Sequence, residues 1–171
     1  MGGTTKPTEP ASPHAGPTAE QIWRQVVKAS FAVISEITSK GDPRSSGVLY
    51  TIVDRRMYVV VGTGSWKARH IAADGRVAVT IPVRRGGILA LMFSIPPATI
   101  SFHGSATVYP ASSPEGERVL DRLGHLLPPM RLAGSSVVEI RPEGNFLTYG
   151  IGVTLLQMRD PARSQARVPV V

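Results

Sequence analysis

Residues 99–109 read TISFHGSATVY and alternate in character, with Ile100, Phe102, Ala106 and Val108 on one side and Ser101, His103, Ser105 and Thr107 on the other. Side chains of an extended chain point to opposite faces in turn, so this run requires a strand with one dry and one wet face. Sheets of that kind must bring their dry faces together, which leads to sandwiches and barrels. Other segments share the habit. Residues 31–38 read as a strand closed by Lys40-Gly41-Asp42-Pro43, and residues 44–53 read as the next, turning through Asp54-Arg55 into 57–61. Residues 76–82 form another, and residues 136–141 and 145–149 flank Pro142-Glu143-Gly144, read as a turn.

Three short helices fit between these strands. Residues 18–29 place Ile22, Trp23, Val26 and Val27 at helical spacing behind a Thr-x-Glu start. Residues 66–73 form a short basic helix that ends at Asp74-Gly75. A third begins with Ser113 as cap and Pro114 at the first helical position; Val119, Leu120, Leu123, Leu126 and Leu127 are its buried stripe, with His125 beside them and Pro128-Pro129 as the stop. The expected architecture is mainly β: an antiparallel barrel of six to seven strands with short helices. Residues 1–17 read as a disordered leader, 18–158 as the barrel domain, and 159–171 as a tail without periodicity, lying over the surface or a partner subunit.

Composition narrows the function. The 171 residues carry a formal net charge of +7 with a pI near 10.4, which favours acidic partners such as phosphates. Cysteine is absent, so there is no disulfide framework, no thiolate nucleophile and no Cys-ligated metal. No two histidines share metal spacing, and no metal is assigned. The leader lacks the apolar core of a signal peptide. The most apolar run, residues 86–97, has eight residues between its Gly and Pro brackets, too few to span a bilayer. It reads as part of a dimer interface, or else as a flap over a hydrophobic substrate. The composition fits the cytoplasm.

Residues 57–83, MYVVVGTGSWKARHIAADGRVAVTIPV, run from strand through Gly-rich turn, short helix and Asp-Gly turn back to strand. Unpaired N–H groups at the helix start, the hydroxyls of Thr63 and Ser65, and the Lys67 ammonium together suit a phosphate. The same letters also serve as an ordinary strand end followed by a Ser65 N-cap, with no ligand at all. The spacing is neither that of a P-loop nor that of a dinucleotide fingerprint.

Taken together, this order of elements resembles the split β-barrel flavin-binding family that includes the pyridoxamine 5′-phosphate oxidases and the related deazaflavin-dependent reductases. The resemblance covers roughly residues 20–150 and is most specific at Ser65, Lys67, Arg69, Ile71, Asp74, Arg76 and Val77, with Gly75 where the family often has proline. It implies a homodimer acting on a small-molecule substrate, with FMN or the deazaflavin coenzyme F420 in a groove between subunits. Haem is an alternative, since some relatives bind it. Thr63, Ser65 and Lys67 would hold the cofactor phosphate, with Arg69 assisting or turned to solvent. Ser45, Ser46, Gly47 and Val48, following Arg44, would form the platform for the ring, where a missing Cβ at Gly47 allows close approach. The chain ends QARVPVV and lacks the substrate-phosphate positions of true pyridoxamine 5′-phosphate oxidases. A reductase or a binding protein of the wider family is therefore expected.

Other residues receive local roles. Ser65, His70 and Asp74 carry the letters of a hydrolytic triad but lie on one turn and helix, which suits capping. His70 reads as solvent-exposed and His103 as a polar-face histidine that could also meet a cofactor or haem iron. Trp66 reads as a core-facing aromatic, the alternative being a stack on a flat ring. No side chain is singled out as catalytic. Against an oxidoreductase stand a non-catalytic carrier of flavin or haem and a basic nucleic-acid-binding barrel; the 6% aromatic content weighs against the last.

Overall fold

The computed structural model describes residues 16–84, 97–123 and 134–171. The first helix, α1 (Ala19–Lys28), starts at Thr18, whose hydroxyl accepts from the Gln21 backbone while the Gln21 side chain accepts from the Thr18 N–H. This reciprocal cap satisfies two otherwise orphaned donors. The helix buries Ile22, Trp23 and Val26. Its Trp23 packs edge-on against Phe146, with ring centroids 5.3 Å apart, and donates from Nε1 to the Val170 carbonyl at 3.1 Å.

The strands are β1 (Phe31–Ile37), β2 (Pro43–Leu49), β3 (Thr51–Val53), β4 (Arg56–Gly62), β5 (Arg76–Val83), β6 (Ala98–Pro110), β7 (Ser135–Tyr149) and β8 (Gln165–Pro169). They form one antiparallel sheet in the order β2-β1-β5-β6-β7-β4-β3, with β8 paired to β7. The two ends of that order, β2 and β3, are consecutive in the chain and separated only by Tyr50. The sheet therefore curls until its ends meet at one residue. Tyr50 is fixed there twice, its N–H donating to the Ser30 carbonyl at 3.0 Å and its hydroxyl to the Val26 carbonyl at 2.7 Å. Burial pushes its phenol above the ordinary range.

Away from the bend the barrel opens. β2 pairs with β1 along its whole length, while β3 covers β4 only from Arg56 to Tyr58. The remaining edge of β4, residues 59–62, and the outer edge of β2 carry no ladder among the described residues. Helix α2 (Trp66–Ala73) then crosses the barrel mouth from the end of β4 to the start of β5, packing on β1, β4 and β6. It lies at the end of β1 opposite to α1.

Inside, Ile34, Met57, Val59, Val79, Ile81, Ile100, Ile140 and Phe146 form a continuous core with essentially no exposed surface. Helix α3 (Pro114–Leu123) begins as expected, with the Ser113 hydroxyl accepting from the Gly116 N–H at 3.0 Å. Its Val119 and Leu120 are half-buried against Tyr58 and Val137. Leu126, Leu127 and His125 lie outside the described residues, as do the first 15 residues of the leader and the apolar run 88–95.

Two sequence expectations are corrected. Pro142-Glu143-Gly144 is not a hairpin turn. It lies within β7, and both flanking segments pair with the same strand β6, the register slipping between Ser101 and His103. Gly144, at φ +67°, absorbs the irregularity, and β6 is long enough to pair with both halves of β7. The C-terminal stretch is also not structureless. After a short helix, α4 (Pro161–Ser164), β8 lies against residues 145–149, which brings the strands among the described residues to eight.

Ile100→Ala is expected to lower the unfolding free energy by about 2–5 kcal/mol in a urea titration. Leu156→Ala, at a position 78% exposed, should change it by less than about 0.5 kcal/mol.

Candidate functional site

The Gly-rich turn is built from backbone first. The Thr63 N–H donates to the Gly134 carbonyl at 2.8 Å, the Ser65 N–H to the Gly62 carbonyl at 3.0 Å, and Gly64 takes φ +72°. The Thr63 and Ser136 hydroxyls are hydrogen-bonded at 3.0 Å. Ser65 caps α2, its Oγ accepting from the Ala68 N–H at 3.2 Å. No acidic residue occupies the first turn of α2. The positive end of the helix is thus not neutralised by its own side chains. Ala68 and Ile71 bury the helix against the barrel, which leaves Lys67 half-buried and Arg69 exposed.

Trp66 is 41% exposed, so the core-facing expectation for it is overturned. Ala68 and Ile71 take the inward positions of this short helix, and Trp66 instead lies over its neighbours. Its ring is 5.7 Å from that of His70 and 5.8 Å from the Lys67 Nζ. His70 also departs from expectation. Its side chain is only 21% exposed, and its Nδ1 turns inward to a point 4.0 Å from the Glu36 carboxylate. Ser65, His70 and Asp74 make no triad: Ser65 and Asp74 cap opposite ends of α2, and Asp74 is bound to Arg76 through both backbone and guanidinium.

The β2 segment alternates across the sheet. Ser45 faces outward, its hydroxyl 2.7 Å from that of Ser35, whereas Val48 faces inward and is buried in the core. Gly47 also faces outward, and a Cβ there would lie 2.8–2.9 Å from carbons of the Phe31 ring. The flat ring that rests on Gly47 is therefore Phe31 of the same chain. A cofactor ring would meet Ser45, Ser46, Gly47 and Val48 through their backbone on the open edge of β2, not through one shared side-chain face.

Glu36 was missing from the sequence-based candidates. It follows Ala32 and Ile34 in phase on the inward face of β1, and it is completely buried. Among the described residues neither carboxylate oxygen has a hydrogen-bond partner, and the buried Ser46 Oγ and His70 Nδ1 also have none. Burial raises the Glu36 carboxyl above its ordinary range, against the opposing pull of Lys67, His70 and Arg44. The alternation of FAVISEI is the signal that marks this position: a carboxylate in step with a buried face.

The surroundings favour one side of the turn. Beyond Thr63 a hollow of about 540 Å³ is lined by Glu117 and Asp121, which repel an anion. Toward α2 lie Lys67, Arg69 and the helix N-terminus. His103 is exposed on the outer face of β6 beside Gly144. No group of ligating side chains suited to a metal occurs among the described residues. No helix among them is long and apolar enough to cross a membrane.

A curled antiparallel sheet that closes at one bent strand and opens along an unpaired edge defines a split β-barrel. Solved structures agree. The haem storage protein HutZ from Vibrio cholerae superposes with a TM-score of 0.62 at 14% identity, covering 78% of this chain and 95% of that one. A FAD-binding protein from Mesorhizobium loti gives 0.54 at 15% identity over 74% and 91%. An F420 reductase gives 0.50 at 17% identity over 72% and 93%. No family model and no curated protein matches the sequence. The fold is that of the pyridoxamine 5′-phosphate oxidase-like split barrels.

Ser65→Ala should cost about 1 kcal/mol of stability through the lost cap, whereas Ser65→Asp should retain the cap, as read by thermal unfolding. The Arg76 side chain and then its N–H hold the Asp74 carboxyl down to about 2. A depressed carboxyl contributes stability above the unfolded-state value and loses it as pH falls through the folded one. Carboxyl NMR should therefore show Asp74 titrating near pH 2, and Arg76→Ala should return it toward the ordinary carboxylate range.

Proposed function

We propose that the chain is a homodimeric oxidoreductase that holds FMN or coenzyme F420 in the split between β2 and β4, and moves a hydride between the ring and a small organic substrate. The observation that carries this is an acid-free helix N-terminus, with Lys67 beside it, at the wide end of an unpaired barrel edge. Solved split barrels named for F420 and FAD chemistry support it.

The residues fit such a ligand. At the phosphate end, the outward N–H groups of the first turn and the Lys67 ammonium meet the oxyanion, each charge-assisted bond contributing about 1.5–3 kcal/mol. The Ser65 oxygen accepts from Ala68, so its hydrogen is free to donate to phosphate. Thr63 does the same when Ser136 is the donor in their pair. Arg69, one turn outward, adds charge at the rim. At the ring end, free backbone groups along Ser45, Ser46, Gly47 and Val48 match the donor and acceptor edge of a flavin-like heterocycle. The cofactor supplies the hydride chemistry when bound; the protein binds, orients and excludes water. Phe31 and Leu49, both exposed and apolar beside that edge, suit coverage by a second subunit.

A carrier of haem or flavin is the second reading, favoured by the likeness to the haem storage protein and by the exposed His103. A nucleic-acid platform finds less support, because Trp23, Tyr50, Tyr58, Phe102 and Phe146 are all buried.

Absorbance titrations with FMN, F420 and haem, followed by reduction and reoxidation with an organic acceptor, distinguish these readings. The oxidoreductase predicts saturable binding of one of the first two, turnover, and an affinity loss of about tenfold or more in Ser65→Ala/Lys67→Ala. A Soret band without turnover favours the carrier. Undiminished cofactor affinity in the double variant overturns the site. Sedimentation is expected to show a dimer.

A further inference from the structure

Among the described residues, four buried polar atoms on neighbouring elements have no hydrogen-bond partner: both Glu36 oxygens, the Ser46 Oγ and the His70 Nδ1. They come from three elements. Glu36 on β1 lies opposite Arg44 on β2 and opposite Val77 on β5, and Ser46 stands two residues along β2 from Arg44. Helix α2, packed over this corner, contributes Lys67 and His70. The charged groups at the α2–β5 turn, Asp74 and Arg76, are bound to each other. A buried carboxylate is costly unless charge or hydrogen bonds compensate it. Here the compensating charge comes chiefly from Lys67, ahead of His70 and Arg44.

Resting on the proposed phosphate site, we infer that Glu36 is a positioning residue that draws Lys67 and His70 toward the barrel interior and so couples anion capture at the α2 N-terminus to proton uptake. The coupling follows from the place of Lys67 on the helix packed over the strand that carries the buried Glu36. Ionised Glu36 competes with an incoming oxyanion for the Lys67 ammonium and repels it besides. Protonated Glu36 does neither. Because burial lifts the Glu36 carboxyl above the usual carboxylate range, the change falls nearer neutrality than for an exposed glutamate. Anion affinity should therefore decrease as pH rises, a direction that phosphate's own second ionisation would oppose.

The test uses inorganic sulfate, whose charge is constant across this range. The full chain is titrated at several values between about pH 5 and pH 8, with the backbone amides of Ser65, Trp66 and Lys67 followed by NMR. Wild type is expected to lose about tenfold in sulfate affinity as pH rises across the range. Glu36→Gln, nearly isosteric and cheaper to bury, should bind more tightly at the upper end and lose most of that slope. A flat wild-type profile, or an unchanged slope in folded Glu36→Gln, overturns the coupling while leaving the phosphate site standing. Absence of any sulfate response at those amides at every pH overturns the phosphate site and the coupling together.

Discussion

The structure depends on one strand bending at Tyr50 so that it can pair on both sides of the barrel. Residues before the bend serve β1 and residues after it serve β4. Holding the bend needs a side chain that reaches out of the strand, and the Tyr50 hydroxyl does so through the Val26 carbonyl of α1. The consequence is geometric. Two strands that diverge from a common point leave unpaired backbone between them, and such an edge invites either aggregation or a ligand. Here the opening widens toward α2, whose N-terminus brings positive charge to the same place. Backbone donors, backbone acceptors and a cationic end are the requirements of a flat heterocycle carrying a phosphate.

Much of this was legible in the sequence because it rests on local chemistry. The Thr18 cap, the 66–73 helix behind Ser65 and the alternation of β6 follow from neighbouring residues, and the structure places them as expected. The failures share a cause, which is information held by a distant partner. Pro142-Glu143-Gly144 has turn chemistry, but the length of β6 keeps it inside one strand. QARVP has little apolar alternation, and it becomes β8 only because β7 offers a free edge.

The candidate site divides along the same line. Ser65 and Lys67 could be named from spacing, since a helix start is a local event. The four β2 residues could be named only as a segment. Register with β1 sends Ser46 and Val48 inward and Ser45 and Gly47 outward, and Phe31 on the neighbouring strand then takes the space over Gly47. Glu36 and His70 were unreadable as a pair, because they stand 34 positions apart with three strands between their elements before α2 folds back across the barrel mouth.

The central claim is that a nucleotide-type cofactor lies in the split, phosphate at the start of α2 and ring along the open edge of β2. An NMR titration of the labelled full chain with FMN, and in parallel with F420, tests it most directly. The account predicts that one of these ligands shifts two groups of backbone amides together, residues 45–48 and residues 65–67, with saturation at a common concentration. Shifts confined to the outer face around β6 and β8, or no shift at residues 65–67 with either ligand, would contradict it.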